Sequence, residues 1–215
     1  MRYEAILFDL DGTLINTNKL ILSSFRHALD VHGLQHVTDE EILARLGEPL
    51  WKQMEKFDST QANKMVETYR RYNLYHHDRE VTAFPYVEEV MEDLATQGMR
   101  MAVVTNKYRK SAEKGLRLFR LEQYLTTAVF VEDAEPKPDP ALLQLALHRM
   151  NVTPDKAIMV GDSAADIEAA KQAGVTAVGV EWSMHDIHAF APDYVIKDVR
   201  ELYAILQYEP RVKLS

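Results

Sequence analysis

The sequence predicts an α/β protein in which a doubly wound parallel sheet carries an all-α lobe inserted close to its N-terminus. Three observations point there. Short unbroken apolar runs recur at 5–8, 101–104, 128–131, 157–160 and 176–180, with a weaker one at 194–196; such runs suit strands buried on both faces. From residue 84 onward they alternate with stretches of helical spacing, the order that gives right-handed crossovers and parallel neighbours. Residues 16–81 break the alternation, keeping helical spacing throughout with no strand-like run.

The first run, Ala-Ile-Leu-Phe at 5–8, ends in acids and Gly12 and reads as strand one. In the inserted lobe, Ile21, Leu22, Phe25 and Leu29 mark a helix over about 18–32 that Gly33 closes. Thr38 with Glu41 forms a capping box for a second helix, which Gly47 ends. Pro49 opens a third segment through Trp51 and Met54, and Met65, Tyr69 and Tyr72 mark a longer fourth. The chain returns through Val81 to Pro85, so the hinges fall near 14–17 and 80–84. This divides the chain into a core of residues 1–15 and 82–215 and a cap of residues 16–81. Beyond the second hinge, Val87, Val90, Met91 and Leu94 form one helical stripe before Gly98. Leu142, Leu143, Leu145, Ala146 and Met150 form another, and Ala164, Ile167, Ala170 and Ala173 a third before Gly174.

Composition narrows the function. With 215 residues, 47% of them hydrophobic, the chain can bury a core, and disorder is excluded. Its 25 Lys+Arg against 33 Asp+Glu leave a net charge of −8, so no general basic surface exists to meet a nucleic-acid backbone. The absence of cysteine removes disulfides, thiolate nucleophiles and Cys-ligated zinc, and points to a reducing cytoplasm. Acids interrupt the N-terminal apolar stretch too early for a signal peptide, and no run approaches the ~18–20 apolar residues of a membrane span. The expectation is a soluble cytoplasmic protein without nucleic-acid or membrane partners, monomeric or homodimeric.

The chemistry gathers just beyond the predicted strands, the edge where ligands bind in open parallel sheets. Asp9 and Asp11 follow strand one, ahead of Gly12 and Thr13. Like charges ~4 Å apart repel by roughly 4 kcal/mol at an effective dielectric of ~20, so something cationic must compensate them. A second acidic pair, Asp162 and Asp166, follows the run at 157–160; Ser163 and Asp166 also suit a helix start of the capping-box kind. Carboxylates without His or Cys nearby suit Mg2+, which takes one or two of them together with substrate phosphate. Thr105 and Asn106 end the run at 101–104 and offer a hydroxyl and backbone N–H groups to phosphate oxygens. Lys137 lies between two prolines close before a helix.

Four segments, Phe8-Asp9-Leu10-Asp11-Gly12-Thr13-Leu14, Thr105-Asn106-Lys107, Lys137-Pro138-Asp139-Pro140 and Gly161-Asp162-Ser163-Ala164-Ala165-Asp166, resemble in order the four motifs of the haloacid dehalogenase superfamily phosphohydrolases. The resemblance spans the whole chain, including a helical cap between the first two motifs. It implies a Rossmann-like sheet of order 5-4-1-2-3 and Mg2+ as cofactor. It makes Asp9 the nucleophile that forms an aspartyl-phosphate, and Asp11 the acid and then the base. Thr105, the Asn106 backbone and Lys137 would hold the phosphoryl group, while Asp9, the Asp11 carbonyl and Asp162 would bind the metal with Asp166 behind them. Asp11 argues against carbon–halogen hydrolysis, because the dehalogenases lack that acid.

Cap segments at 14–18, 47–50, 69–73 and 77–81 resemble most the bacterial inorganic pyrophosphatases of this superfamily, relatives of the phosphoglycolate phosphatases. The implied substrate is pyrophosphate or another small phosphorylated molecule. Asn16-Thr17 departs from the Asp-Ser common in sugar-phosphate enzymes, and Tyr86 stands where Gly is frequent. Arg45, Lys52, Lys107 and Arg109 are the candidate cations for such an anion, and His76-His77-Asp78 reads as cap surface. A phosphosugar mutase is the nearer alternative. A phospho-accepting receiver module is the more distant one; receivers place their acceptor Asp after a later strand and lack the inserted helices.

Overall fold

In the computed structural model, which describes residues 2–210, strands form at β1 (Ala5–Phe8), β2 (Ile15–Asn16), β3 (Thr82–Ala83), β4 (Arg100–Val104), β5 (Thr127–Val129), β6 (Ala157–Gly161), β7 (Thr176–Val180) and β8 (Tyr194–Ile196). Six of them make one sheet in the order β5-β4-β1-β6-β7-β8, every neighbouring pair parallel. This is the expected 5-4-1-2-3 order with the weak run at 194–196 added as an edge strand. Winding reverses on either side of β1, so the C-terminal ends of β1, β4 and β6 face one crevice.

Side chains alternate across the buried strands. Ile6 and Phe8 point into a cluster with Val87, Met91 and Leu94, whereas Ala5 and Leu7 point into one with Leu142, Leu143, Met159 and Ala170. The helices that supply these partners follow in chain order: α1 (Asn18–Val31), α2 (Asp39–Leu43), α3 (Leu50–Phe57), α4 (Ala62–Glu80), α5 (Val87–Thr96), α6 (Arg109–Leu118), α7 (Ala141–Met150), α8 (Ala164–Ala173) and α9 (Leu202–Leu206). Residues of α5, α6 and α9 cover one face of the sheet, and residues of α7 and α8 the other. Truncating a fully buried anchor such as Leu143 to Ala costs about 2–5 kcal/mol.

Helices α1 to α4 gather around their own apolar cluster, with Phe25, Leu29, Ile42, Met54 and Met65 at its centre. The Thr38–Glu41 capping box forms as the sequence predicts, and Gly33 has the left-handed backbone of a helix end, φ +82°. Three local expectations need correcting. Helix α2 ends at Leu43, ahead of Gly47. Strand β5 stops at Val129, and the buried Phe130 already belongs to the following turn. Residues 16–81 are not free of strand: Asn16 of β2 pairs antiparallel with Thr82 of β3, so a two-residue ribbon joins the helical lobe to the sheet.

Candidate active site

Asp9 follows β1, Thr105 follows β4 and Asp162 follows β6, so the winding of the sheet brings three distant segments to one edge. Lys137 reaches the same point from the loop before α7, its ammonium only 2% exposed. It donates to Asp9 Oδ1 at 2.8 Å, to Asp166 Oδ1 at 2.6 Å and to the Val104 carbonyl at 2.7 Å, which uses all three of its protons. Burial alone would pull Lys137 down, but Asp166 and Asp9 outweigh it and raise its pKa above the ordinary lysine value. Lys137 thus compensates one acid of each pair, Asp9 and Asp166, whereas Asp11 is met by Lys107.

The acids are buried with it. Burial pushes the Asp9 carboxyl up to about 7 against the opposing pull of Lys137, with Asp166 and Asp11 adding to the rise. Burial likewise raises Asp162 well above the ordinary carboxylate range, helped by Asp166 and Asp9. Asp166 Oδ2 accepts from the Ser163 backbone N–H at 3.0 Å and from its hydroxyl at 2.6 Å, closing a capping box at the start of α8. Asp162 Oδ2 accepts a short bond from the Ser183 hydroxyl. Oxygens of Asp9, Asp162 and Asp166 lie within 4.8 Å of one another. An all-carboxylate set of this kind fits a hard divalent cation of the Mg2+ type, and a cation there would favour the charged forms that burial and the neighbouring acids disfavour.

Asp11 stands apart from this triad. Both its oxygens accept from Lys107 Nζ at 2.8 Å, so its side chain faces the cavity rather than the carboxylate cluster. Gly12 shows why the turn has its form: φ is +77°, and a Cβ there would overlap Asp162 Oδ2. Thr105 is buried and lines the cavity, its hydroxyl accepting from the Lys107 N–H at 3.1 Å. The Asn106 side chain has a task that its sequence position does not reveal. It accepts from Lys137 N at 2.9 Å and donates to the Lys137 carbonyl at 2.8 Å and the Gly47 carbonyl at 3.1 Å. It therefore fixes the lysine loop and ties it to the loop between α2 and α3.

The cavity above these groups is walled on the helical side by Ile21, Phe25, Leu50, Trp51, Tyr69 and Asn73. Of the four candidate cations only Lys107 reaches it. Arg45 lies over the Phe57 ring, Lys52 over Trp51, and Arg109 pairs with Asp133 at 2.6 Å. Arg70, which is not among the four candidate cations although the 69–73 segment contains it, also lines the cavity; its place beside Tyr69 and Asn73 on α4 is the signal that marks it. The reading of 76–78 as surface holds for the exposed Asp78 but is corrected for His77. His77 is 1% exposed where α4 packs on α6, burial lowers its pKa, and its ring meets Asp78 at 2.9 Å.

Comparison with known proteins agrees with this geometry. The haloacid dehalogenase-like hydrolase family profile matches residues 6–180. The chain is 37% identical to pyrophosphatase PpaX of Oceanobacillus iheyensis over 210 residues, covering 96% of this chain and 98% of that one. It is 38% identical to pyrophosphatase PpaX of Bacillus mycoides with the same coverage. Its fold matches the crystal structure of a predicted phosphoglycolate phosphatase from Haemophilus somnus with a TM-score of 0.83 at 27% identity, covering 96% of this chain and 99% of that one. A receiver module is thereby set aside in favour of a phosphatase-type hydrolase. With the family profile spanning all four acid, threonine and lysine segments, the chain belongs to the haloacid dehalogenase-like hydrolase family.

Proposed function

We propose that the protein is a Mg2+-dependent phosphohydrolase that works through an aspartyl-phosphate on Asp9 and hydrolyses inorganic pyrophosphate to two phosphates. The observation that carries the reading is the convergence of Asp9, Lys137 and Asp162 at one sheet edge, beneath a cavity that also holds Asp11 and Thr105. Asp9, the Asp11 carbonyl and Asp162 would hold the metal, with Asp166 behind them as the partner of Lys137. When bound, Mg2+ supplies charge neutralisation for the phosphoryl oxygens.

The Asp9 oxygen not held by Lys137 attacks phosphorus, and the bond to the leaving oxygen breaks as the Asp9–phosphorus bond forms. Asp11 protonates the leaving oxygen, then takes a proton from the water that attacks the phosphorus of the intermediate. This frees inorganic phosphate and restores the Asp9 carboxylate. Both Asp11 oxygens accept from Lys107, so this pair opens and Asp11 takes up a proton from solvent before it serves as the acid; the proton it later takes from the attacking water restores it for the next turnover. Thr105 and the Asn106 backbone receive the phosphoryl oxygens, and Lys137 offsets their charge beside Asp9. Residues 16–81 act as the cap over a core that, among the described residues, is made of 2–15 and 82–210, hinged at the β2–β3 ribbon; residues 1 and 211–215 of the expected core lie outside the described residues.

Pyrophosphate is favoured by the relatives named pyrophosphatase PpaX, which cover nearly the whole chain. The second reading, phosphoglycolate, draws on the predicted phosphoglycolate phosphatase that shares the fold. A panel at equal Mg2+ decides: kcat/KM for pyrophosphate exceeds those for phosphoglycolate and p-nitrophenyl phosphate. The reverse ranking removes pyrophosphate as the substrate while leaving the chemistry on Asp9 intact.

A further inference from the structure

Three full cations line the cavity: Lys137, Lys107 and Arg70. The first is engaged by Asp9 and Asp166 and the second by Asp11. Arg70 has no carboxylate partner among the described residues, and its Nε is buried without a hydrogen-bond acceptor. The cap-side acid of the cavity, Glu48, is already paired with Lys56 at 2.6 Å, so it does not neutralise Arg70. The guanidinium instead lies 4.4 Å over the Tyr108 ring. Stacking on an aromatic face fixes the plane of the guanidinium and leaves its N–H edge open.

A buried donor without an acceptor is costly, and a guanidinium held in a polar cavity has the fork geometry that matches phosphate or carboxylate oxygens. Tyr108 adjoins Lys107, whose ammonium is on Asp11, and Arg70, Tyr108, Lys107 and Asp11 all line this one cavity, which places the guanidinium in the same chamber as the group that would protonate a leaving oxygen. Asn73, one turn along α4 and also lining the cavity, donates to Ser24 at 3.2 Å and is thereby held in place.

We infer that Arg70 binds the second anionic group of the substrate, the one carried by the leaving group, and so makes the site selective for substrates with two anionic ends. The inference rests on the phosphohydrolase reading above and deepens it. For pyrophosphate the bound group is the departing phosphate; for phosphoglycolate it would be the carboxylate. Lys107 then has a ready acceptor beside Arg70 when it leaves Asp11.

The test compares wild type with Arg70→Gln and Arg70→Lys on pyrophosphate and on p-nitrophenyl phosphate, whose leaving group carries no second phosphate. Loss of a bidentate charged contact predicts a fall of about 50-fold in kcat/KM for pyrophosphate in Arg70→Gln, with a change below about threefold for p-nitrophenyl phosphate. Arg70→Lys recovers part of the loss. Equal losses on both substrates, or none on either, overturn the inference. A wild type that prefers phosphoglycolate to pyrophosphate removes the pyrophosphatase reading alone; the inference is then decided by the same ratio with phosphoglycolate as the two-anion substrate. Should Arg70→Gln fail to fold, Arg70→Lys decides: a loss confined to two-anion substrates supports the inference and an equal loss contradicts it. As a readout apart from turnover, methylene diphosphonate binds Arg70→Gln more weakly in calorimetry while inorganic phosphate binds it as it binds wild type.

Discussion

Asp9 and Lys137, 128 residues apart in sequence, share a hydrogen bond of 2.8 Å in the interior of the protein. The lysine also holds Asp166, so one buried ammonium joins the end of β1 to the first turn of α8 through their acids. Breaking such a network from one side leaves uncompensated buried charge, which typically costs 3–5 kcal/mol, about 3 kcal/mol being expected here. Lys137→Met should therefore lose about that much stability in urea unfolding near pH 8. The loss should shrink near pH 5, where the acids can take up protons instead.

Proton and metal compete for the same carboxyls. Asp9 is raised from 3.8 to about 7 and Asp162 well above its ordinary value. Without metal, the folded protein therefore keeps protons that the unfolded chain has released. Their stabilising contribution is complete below the unfolded value of 3.8 and is lost as pH rises through about 7. Mg2+ replaces those protons, so the rise in Tm on adding Mg2+ should grow between about pH 5 and pH 8. An increment that falls with pH over that range would contradict the assignment of these acids to the metal.

Ser183 supports Asp162 from the loop after β7 by donating to Oδ2, which leaves Oδ1 for a cation. Partners of this kind commonly change metal affinity by 10–100-fold when removed. Ser183→Ala should weaken Mg2+ binding about tenfold in calorimetry and change kcat little once Mg2+ is saturating.

Gly12 has φ +77°, and a Cβ there would overlap the Asp162 carboxylate. Gly12→Ala should therefore destabilise the fold by about 1–2 kcal/mol from the backbone alone. It should also abolish measurable Mg2+ binding, because Asp162 cannot keep its place. Thermal unfolding with and without Mg2+ reads both effects.

The core was legible in the sequence because strands buried on both faces leave unbroken apolar runs, and Asp9, Thr105 and Asp162 each stand directly after one. The capping boxes at Thr38–Glu41 and Ser163–Asp166 were legible for a local reason, since their partners lie three residues apart. The β2–β3 ribbon was not, because two-residue strands are too short to show a period. The burial of His77 depends on α6 packing across α4, a relationship between segments about forty residues apart that spacing within α4 cannot show. Arg70 and Arg45 look alike in sequence. Arg70 lines the cavity because α4 faces the sheet edge, where it meets Tyr108, whereas Arg45 covers Phe57 within the helical lobe; neither outcome is visible from local spacing.

The central claim is that Asp9 accepts the phosphoryl group. Enzyme mixed with radiolabelled pyrophosphate and Mg2+ and quenched in acid within one turnover should carry acid-stable, hydroxylamine-labile label on the peptide containing Asp9. Asp9→Asn, with its fold intact by circular dichroism, should carry no label and turn over no substrate. Turnover by Asp9→Asn at the wild-type rate, or label recovered on a different peptide, would contradict it.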